Sequence, residues 1–446
     1  MEGIITEFDS DLNGILIQET PKGSLKVAIP GALIGEKIRY HIEHKSPHEP
    51  KAWGRCDALL VPAPSRVTSP CPYAWPCAGA CAGCPLMHIS PALQAELKTN
   101  IVLDALKKAG INYIHKLLFH PADEPLRYRN RTDLVVAEMR GRLVLGSYKP
   151  RSHDILPTKQ CIILRSPLNH IIAFVAKTAN ALQIPAWKNV NQPNGALRYV
   201  SLFANDAGHV LIDLVCKSAQ SGEPAWLHGL ADALLENASV KGVSYSLNDS
   251  PNNALRIAPS QTLTGVTHLT EHHGSTVSLF TASGFTQLNS DMAAKIYLSA
   301  KDWLPTRPKI AWDLYCGAGA FGRILSPLQA LYGAEFSPSA IQAARQISQN
   351  DPFQTHFETL DLEQDWPDWP RPNVILLDPP RKGLSPKVIQ NLSASRVDTL
   401  LYMSCNPDTM AQNIAALPGY VIERIEAFDM MPYTRHVEAL ALLRHK

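Results

Sequence analysis

One cysteine stands where a reactive thiol would be expected. The segment that contains it reads DTLLYMSCNPDTM (398–410), and Cys405 directly follows an apolar run that predicts a buried strand. Because the carboxyl ends of parallel strands open into the crevice where ligands bind, we expect the Cys405 side chain to face such a crevice. A thiolate in that position could form a covalent intermediate with a substrate.

Two acidic residues are candidates for the same chemistry. PNVILLDPPRKG (372–383) is a buried strand that ends at Asp378, and MPYTRHVEALALLRHK (431–446) contains Glu438. In adenine-N6 methyltransferases the comparable Pro-Pro loop ends in an aromatic that stacks on the base. Arg381 takes that place here, which argues against amine methylation. A thiol with a carboxylate base suits methylation at C5 of uracil, because thiolate addition at C6 makes C5 nucleophilic and a base then removes the C5 proton.

A glycine-rich turn predicts a nucleotide-type cofactor. KIAWDLYCGAGAFGRIL (309–325) is a strand, a GxGxxG turn and the start of a helix, a pattern that fits NAD, FAD or S-adenosylmethionine. Glu335 ends the next strand, where a carboxylate can accept hydrogen bonds from ribose hydroxyls. Asp361 lies where its carboxylate would contact the amino group of an adenine. Asp313 precedes the turn. An acid at each of the first three strand ends favours S-adenosylmethionine over a dinucleotide.

The hydrophobic periodicity changes along the chain. Residues 1–58 alternate apolar and polar and predict about five short strands, as in a small barrel of the OB type. A helix is predicted at 90–111. Residues 126–280 are mainly strands with a helix at 166–182, an α+β pattern. From about residue 290 strands and helices alternate, which predicts a doubly wound parallel sheet.

Composition excludes some classes of protein. The chain is 45% hydrophobic and 18% charged, as expected of a folded soluble protein, and no apolar run approaches the roughly 18 residues of a membrane span. The first residues lack the pattern of a signal peptide, so a cytoplasmic protein is expected. We also expect a monomer without an obligate protein partner.

Four of the nine cysteines fall within a short segment: Cys71, Cys77, Cys81 and Cys84. In a reducing compartment such a group indicates a metal or iron–sulfur site before it indicates disulfides.

Taken together, these segments resemble the RNA uracil-C5 methyltransferases, which form 5-methyluridine in ribosomal and transfer RNA. The resemblance covers nearly the whole chain and includes GFTQLNSDM (284–292), DLYCGAGAFG, DPPRKG, SCNP and HVEALALL. It implies that Cys405 is the nucleophile and Glu438 the base. It also places six residues around the cofactor and the target base: Gln287, Tyr315, Ala320, Glu335, Asp361 and Asp378.

The resemblance further implies a multidomain α/β protein. Its parts would be a TRAM-type OB barrel at 1–58, an α+β iron–sulfur and RNA-binding domain at 59–283, and a Rossmann-like S-adenosylmethionine-dependent methyltransferase domain at 284–446. The helix at 90–111 is expected to pack on the catalytic domain.

Family members with a cysteine cluster carry a 4Fe–4S centre. The resemblance implies Cys71, Cys81, Cys84 and Cys161 as its ligands, since four thiolates satisfy the four irons. Cys77 stands at the usual spacing from Cys71 and could replace Cys71 or Cys81. Zinc is the alternative metal, because four thiolates also suit Zn²⁺.

RNA is the expected partner. Residues 126–165 contain nine Lys/Arg and three acids, which predicts a phosphate-binding face with contacts at Arg129 and Arg131. The cysteine cluster and the TRAM-like segment favour 23S ribosomal RNA, and transfer RNA is the alternative.

Two other functions remain open on the residues alone. One is methylation of cytosine, which also uses a thiol, although DNA enzymes of that kind carry it in a Pro-Cys loop. The other is a catalytically inactive RNA-binding iron–sulfur protein, against which the intact Cys405, Glu438 and glycine-rich turn argue.

Overall fold

The computed structural model describes residues 1–21, 23–74, 81–150, 152–189 and 191–446. The strands are β1 (Glu2–Ile4), β2 (Glu7–Phe8), β3 (Gly14–Thr20), β4 (Gly23–Ile29), β5 (Lys37–Lys45), β6 (Lys51–Val61), β7 (Leu118–His120), β8 (Arg131–Met139), β9 (Arg142–Tyr148), β10 (Ile155–Pro157), β11 (Asn194–Ala204), β12 (Val210–Ala219), β13 (Val240–Leu247), β14 (Gln261–Gly265), β15 (Leu269–His273), β16 (Thr276–Phe280), β17 (Ile310–Leu314), β18 (Ala330–Glu335), β19 (Gln354–Thr359), β20 (Val374–Leu377), β21 (Thr399–Ser404), β22 (Tyr420–Phe428) and β23 (Glu438–His445). The helices are α1 (Pro91–Lys108), α2 (Ser166–Ala181), α3 (Leu227–Leu235), α4 (Ser290–Asp302), α5 (Ala320–Arg323), α6 (Pro338–Ile347), α7 (Pro386–Ser395) and α8 (Pro407–Ala415), with a 3₁₀ turn at Ser348–Asn350.

The amino-terminal strands form one sheet in the order β1-β5-β6-β4-β3-β2. Alternating apolar residues give it a single buried face, as the period of two requires. Its core contains Ile5, Leu16, Val27, Ile29, Ile38 and Tyr40. The sequence predicts about five strands ending near residue 58, and the structure extends the last one to Val61.

The middle sheet has the order β10-β9-β8-β11-β12-β13-β14. Helices α2 and α3 cover one of its faces, with Leu168, Ile172 and Leu230 fully buried against the strands. The predicted helix at 166–182 and the main predicted strands are confirmed. Helix α3 and the short strands β10, β14 and β15 are not predicted from the sequence.

The carboxyl-terminal sheet has the order β19-β18-β17-β20-β21-β23-β22-β7. Strands β19, β18, β17, β20 and β21 run parallel to one another, which confirms the predicted parallel arrangement for this part of the sheet. Strand β23 is antiparallel and lies between β21 and β22. Buried side chains line both faces of the central strands, so these strands are mostly apolar, with Asp313 of β17 a buried exception.

The described chain divides into two compact units. Unit 1 contains Met1–Asn100, Tyr148–Asp154 and Met431–Arg435, and unit 2 contains Ile101–Ser147, Ile155–Met430 and His436–Lys446. Unit 2 joins residues of the predicted central and catalytic domains, so the predicted division into three functional domains stays a prediction.

Helix α1 crosses the boundary between the units at residue 100. Its second half places Val102, Ala105 and Leu106 in the core of unit 2, with the carboxyl-terminal sheet. None of the helices in the described ranges is both long enough and apolar enough to span a membrane.

Candidate active site

Cys405 lies in the turn between β21 and α8. The Ser404 hydroxyl accepts a hydrogen bond from the backbone N–H of Asn406 at 3.1 Å, and the Asn406 side-chain amide donates to the carbonyl oxygen of Arg381 at 3.0 Å. Pro407 begins α8, where its fixed φ and missing N–H are tolerated. The turn is thereby tied to the loop after β20, and the Cys405 side chain stays partly exposed.

Strand register brings Glu438 beside Cys405. In the antiparallel pair of β21 and β23, Ser404 stands opposite Ala439. The residue after Ser404 and the residue before Ala439 are therefore neighbours, and these are Cys405 and Glu438. Glu438 is only 4% exposed. The two residues that the sequence predicts as nucleophile and base thus lie together at the end of the sheet.

The electrostatics of this pair favour proton transfer. Burial raises the pKa of Glu438 well above its usual value, the charge of Asp378 raises it further, and the Arg381 guanidinium lowers it. A carboxylate with a raised pKa is a stronger base. Burial also raises the pKa of the Cys405 thiol, as does Glu438, whereas Arg381 lowers it through its charge and a hydrogen bond. Arg381 is therefore the group that favours the thiolate.

We expect Arg381→Gln to lower the reactivity of Cys405 about tenfold near neutral pH, because the thiolate loses its stabilising cation. The deficit should shrink as the pH rises, since the thiol then ionises without help. The measurement is the rate of iodoacetamide alkylation of the Cys405 peptide, followed by mass spectrometry across the pH range. Lys382→Gln, which removes the exposed neighbouring cation that pairs with Glu363 at 3.5 Å, is the matched control. Identical profiles for the two variants would contradict the role of Arg381.

Asp378 connects this pair to the loop before α4. Its carboxylate accepts a hydrogen bond from the Gln287 side chain at 3.3 Å. Burial raises the pKa of Asp378 to about 8, with Asp313 and Glu335 adding to the rise and the Gln287 hydrogen bond opposing it. Asp378 and Gln287, both predicted from the sequence, are therefore direct neighbours.

Asn130 holds Gln287 in place and is not predicted from the sequence. Its side-chain amide donates to the carbonyl oxygen of Gln287 at 2.8 Å, and its backbone N–H donates to that of Leu288 at 3.0 Å. Asn130 is fully buried. It stands within a basic run, and nothing in the local pattern distinguishes it from a surface residue.

The glycine-rich turn after β17 forms a cradle. Gly317 and Gly319 both have positive φ, which glycine adopts without strain, and a Cβ on Gly317 would meet only open space. A Cβ on Gly319 would lie 2.8 Å from the Phe357 ring, so this glycine is required by packing. Ala320 is the first residue of α5 and offers the cradle its backbone rather than a polar side chain.

The acids predicted at the strand ends surround this cradle. Glu335 accepts hydrogen bonds from the backbone N–H groups of Gly317 at 3.3 Å and Ser337 at 2.9 Å. Asp361 accepts one from the N–H of Glu363 at 3.0 Å. Burial raises the pKa of Tyr315 above its usual range, and the acids around it, Glu363, Asp361 and Glu335, raise it further.

Two buried polar atoms within the cradle have no hydrogen-bond partner among the residues that the structure describes. They are the Tyr315 hydroxyl and one carboxylate oxygen of Asp313, whose other oxygen accepts the N–H of Gly322 at 2.8 Å. Buried polar groups are normally satisfied, and an orphan in a pocket indicates a ligand or water. Open space at Gly317, these orphans and the nearby carboxylates fit a nucleoside with a cationic tail, as the sequence predicts.

We expect the ratio of the affinity for S-adenosylmethionine to the affinity for S-adenosylhomocysteine to rise about tenfold between about pH 6 and pH 9. Burial raises the pKa of Asp313 to about 7 and that of Asp378 to about 8, so both hold protons at the lower end of this range. Deprotonation adds negative charge near the sulfonium cation, whereas the sulfur of S-adenosylhomocysteine is neutral. Calorimetric titration of both ligands measures the ratio of the Kd values. A ratio that is independent of pH would contradict the expectation.

Two further residues belong to the site although the sequence does not reveal them. Tyr297 is buried on α4 and stacks on Phe321, with ring centroids 5.1 Å apart. Burial raises the pKa of Tyr297, and Asp378, Asp313 and Glu438 raise it further, so the neutral hydroxyl lies among three acids of the site. Phe285 is 79% exposed and stands two residues before Gln287. This exposure is not visible in a sequence.

The cysteine cluster is described only in part. Cys71, Cys81 and Cys84 belong to unit 1, Cys161 belongs to unit 2, and Cys77 lies outside the described residues. Within the described ranges, no three His, Cys, Asp or Glu side chains are grouped so that they could hold a metal ion. The described residues therefore do not form a metal site by themselves, and the 4Fe–4S cluster stays a prediction.

The basic run requires a correction. Arg131 is 8% exposed and donates to the carbonyl oxygen of Gly284, and Arg165 forms an ion pair with buried Glu271 at 2.7 Å. Arg129 donates to the carbonyl oxygen of Arg131 at 2.8 Å. The expected phosphate contact at Arg131 is wrong, because this guanidinium is buried and already supports the loop that carries Gln287.

Comparisons with known proteins point to RNA methylation. Residues 371–446, which contain Asp378, Cys405 and Glu438, match the model of the tRNA (uracil-5-)-methyltransferase family. An uncharacterized RNA methyltransferase of Halalkalibacterium halodurans is 28% identical over 94% of this chain and 92% of its own length. Another from Clostridium tetani is 27% identical, over 99% and 97%. This chain is an S-adenosylmethionine-dependent RNA methyltransferase.

The fold of this RNA methyltransferase has a solved counterpart. The tRNA (uracil-54, C5)-methyltransferase of Pyrococcus abyssi, determined in complex with S-adenosyl-L-homocysteine, aligns with a TM-score of 0.75 at 22% identity. The alignment covers 99% of this chain and all of that one. The likeness shows that the two chains share a mixed α/β fold.

Proposed function

We propose that this RNA methyltransferase converts a uridine to 5-methyluridine, with Cys405 as the covalent nucleophile and Glu438 as the base. The observation that carries the proposal is the register of β21 and β23, which makes these two residues neighbours at the carboxyl end of the sheet. Arg381, whose charge favours the thiolate, and Asp378 complete the group. Methylation of uracil accounts for every residue of this set, so no cytosine or amine substrate needs to be invoked.

The reaction follows from the chemistry of these side chains. The Cys405 thiolate adds to C6 of the uracil ring, and the electrons of the C5–C6 double bond move into an enolate. When bound, S-adenosylmethionine would supply the electrophilic methyl group that C5 takes up, and it would leave as the neutral thioether. The Glu438 carboxylate then accepts the C5 proton, the bond between Cys405 and C6 breaks, and 5-methyluridine is released.

The cofactor is held by the residues of the cradle in this proposal. Glu335 binds the ribose hydroxyls, Asp361 the adenine amino group, and Gln287 and Asp378 the region where the methyl donor meets the base. Tyr315 contributes its unpartnered hydroxyl and Ala320 its backbone. Once Asp378 is deprotonated, its negative charge attracts the sulfonium, because opposite charges at short distance in a buried site interact strongly.

We propose 23S ribosomal RNA as the substrate and transfer RNA as the alternative. The cysteine segment and a TRAM role for the amino-terminal sheet support the first, by resemblance. The solved enzyme of P. abyssi acts on transfer RNA, which supports the second. Exposed cations at the tip of the β8–β9 hairpin, Arg140 and Arg142, and the exposed Phe285 are candidate RNA contacts.

The substrate is tested by mapping 5-methyluridine in the 23S and transfer RNA of a strain that lacks this gene. Loss of the modification at one ribosomal site, restored by the wild-type gene, supports the first substrate. Loss in transfer RNA alone supports the second. Unchanged 5-methyluridine in both RNAs, together with no methylation of unmodified transcripts by the purified protein, would refute the proposed function.

A 4Fe–4S cluster on Cys71, Cys81, Cys84 and Cys161 is proposed on the resemblance alone, with Cys77 as the alternative to Cys71 or Cys81. The test is visible absorbance near about 400 nm, which thiolate-bound iron–sulfur clusters show, together with iron analysis of anaerobically purified protein. A colourless protein that contains zinc would replace the proposal by a zinc site.

A further inference from the structure

The loop that leads to Glu438 belongs to unit 1, although Glu438 itself belongs to unit 2. Strand β22 ends at Phe428 and β23 begins at Glu438, and residues 431–435 of the connection pack within unit 1. Within this loop the backbone N–H and the hydroxyl of Thr434 both donate to the carbonyl oxygen of Met431, at 3.3 and 2.8 Å. Residues 431–434 of the loop therefore form a hydrogen-bonded turn.

Three separate parts of unit 1 bind this turn. The ammonium group of Lys98, on α1, donates to the carbonyl oxygen of Met431 at 3.1 Å. The backbone N–H of Leu86, two residues after Cys84, donates to the carbonyl oxygen of Tyr433 at 2.9 Å. Together these bonds hold the first three residues of the loop.

The third contact comes from the first turn of the amino-terminal sheet. The Arg435 guanidinium donates to the carbonyl oxygen of Ser10 at 3.1 Å and pairs with the Asp11 carboxylate. Residues 9–13 are themselves a closed turn, in which Asp9 accepts the backbone N–H groups of Asp11 and Asn13 at 2.9 Å. Arg435 is thus attached to a rigid point three residues before Glu438.

Lys98 is the least expected of the residues that make these contacts, because its side chain is buried. Its side chain is 0% exposed, and burying a lysine is costly unless its ammonium group is well satisfied. An apolar residue would serve packing alone at this position. A buried cation that donates to a loop carbonyl instead specifies where that loop lies.

We propose that the anchored turn at residues 431–435 positions the base of the reaction, and that Lys98 and Arg435 are positioning residues for Glu438. The inference rests on the proposed function, in which Glu438 removes the C5 proton. A base must lie within hydrogen-bond reach of the proton it takes, and loss of about 1 Å in position can slow a step about a hundredfold. The anchored turn sets the start of β23, and Glu438 is its first residue.

Misplacement of Glu438 would have a distinct effect on the reaction. If Glu438 is misplaced, Cys405 still adds to C6 and C5 still takes the methyl group. The C5 proton then leaves slowly, so the bond between Cys405 and C6 cannot break and the methylated RNA stays attached to the protein. A general loss of folding would instead reduce cofactor binding and adduct together.

The test uses the full-length protein with unmodified transcripts of 23S and transfer RNA in single-turnover reactions. The variants are Arg435→Gln, its conservative partner Arg435→Lys, and Lys98→Met. Arg39→Gln, an exposed arginine of the same unit that pairs with Glu2 at 3.1 Å, is the matched control. The readouts are the SDS-resistant protein–RNA adduct, 5-methyluridine release and the Kd for S-adenosylmethionine.

We expect Arg435→Gln and Lys98→Met to release product about tenfold more slowly and to accumulate adduct, with an unchanged Kd for the cofactor. Arg435→Lys should restore release, and Arg39→Gln should match the wild type. Because Arg435 is half-exposed, its variants test the inference even if Lys98→Met fails to fold. Wild-type release without adduct in Arg435→Gln, or loss of adduct and cofactor binding together, overturns the inference. Absence of methylation by the wild type would instead overturn the proposed function.

Discussion

Cys405→Ala is expected to lower 5-methyluridine formation by on the order of 10⁴-fold or more, because C5 of uracil is too weak a nucleophile without the thiolate at C6. The side chain is partly exposed at the end of β21, so its truncation leaves the core of the sheet intact. Binding of S-adenosylmethionine and RNA should therefore persist. The measurement is methyl transfer from labelled cofactor to RNA, together with the SDS-resistant adduct.

Cys56→Ala is the control for this experiment. Cys56 is a free, partly buried cysteine of the amino-terminal sheet and lies in unit 1, away from β21 along the chain. It should retain wild-type activity and adduct. If Cys405→Ala still methylates RNA at a rate comparable to that of the control, covalent catalysis by this residue is excluded.

Glu438→Gln is expected to slow turnover by about 10²- to 10⁴-fold, since a positioned base contributes a factor of this size. Unlike the cysteine variant, it should accumulate the methylated covalent adduct. The glutamine has nearly the same shape as the buried carboxyl and keeps the ladder pairing of β23 with Phe428. The measurement is the ratio of adduct to released product at single turnover.

The control for the carboxylate is Glu423→Gln. Glu423 lies on β22 of the same hairpin, is 49% exposed and pairs with Arg444. It should release product at the wild-type rate, because surface ion pairs contribute little. Adduct that decays as fast in Glu438→Gln as in this control would show that another group takes the C5 proton.

These two variants separate the steps of one reaction. In the proposed mechanism, no covalent intermediate is expected without the thiol, and without the base the intermediate is expected to form and persist. The contrast depends on the geometry at the end of the sheet, where Cys405 and Glu438 are neighbours and Arg381 acts on the pKa of both.

The sequence by itself determined the parts of the protein that depend on local patterns. Alternation of apolar and polar residues predicts the amino-terminal strands, and continuous apolar runs predict β17, β20 and β21, because burial on one or both faces requires those patterns. The strand-end positions of Cys405, Asp378 and Glu335 follow from the same reading. So does the cofactor turn, since positive φ at Gly317 and Gly319 needs glycine.

Only the tertiary structure decided which of these residues meet. Cys405 and Glu438 are neighbours because β23 inserts antiparallel between β21 and β22, and the register of distant strands is set by long-range packing that no local pattern contains. The same reason explains Arg131. This residue lies in a basic run that is typical of an exposed surface, but its side chain is buried and supports a loop. It also explains Lys98 and Arg435, whose contacts with the loops at Met431 and Ser10 join residues more than three hundred positions apart.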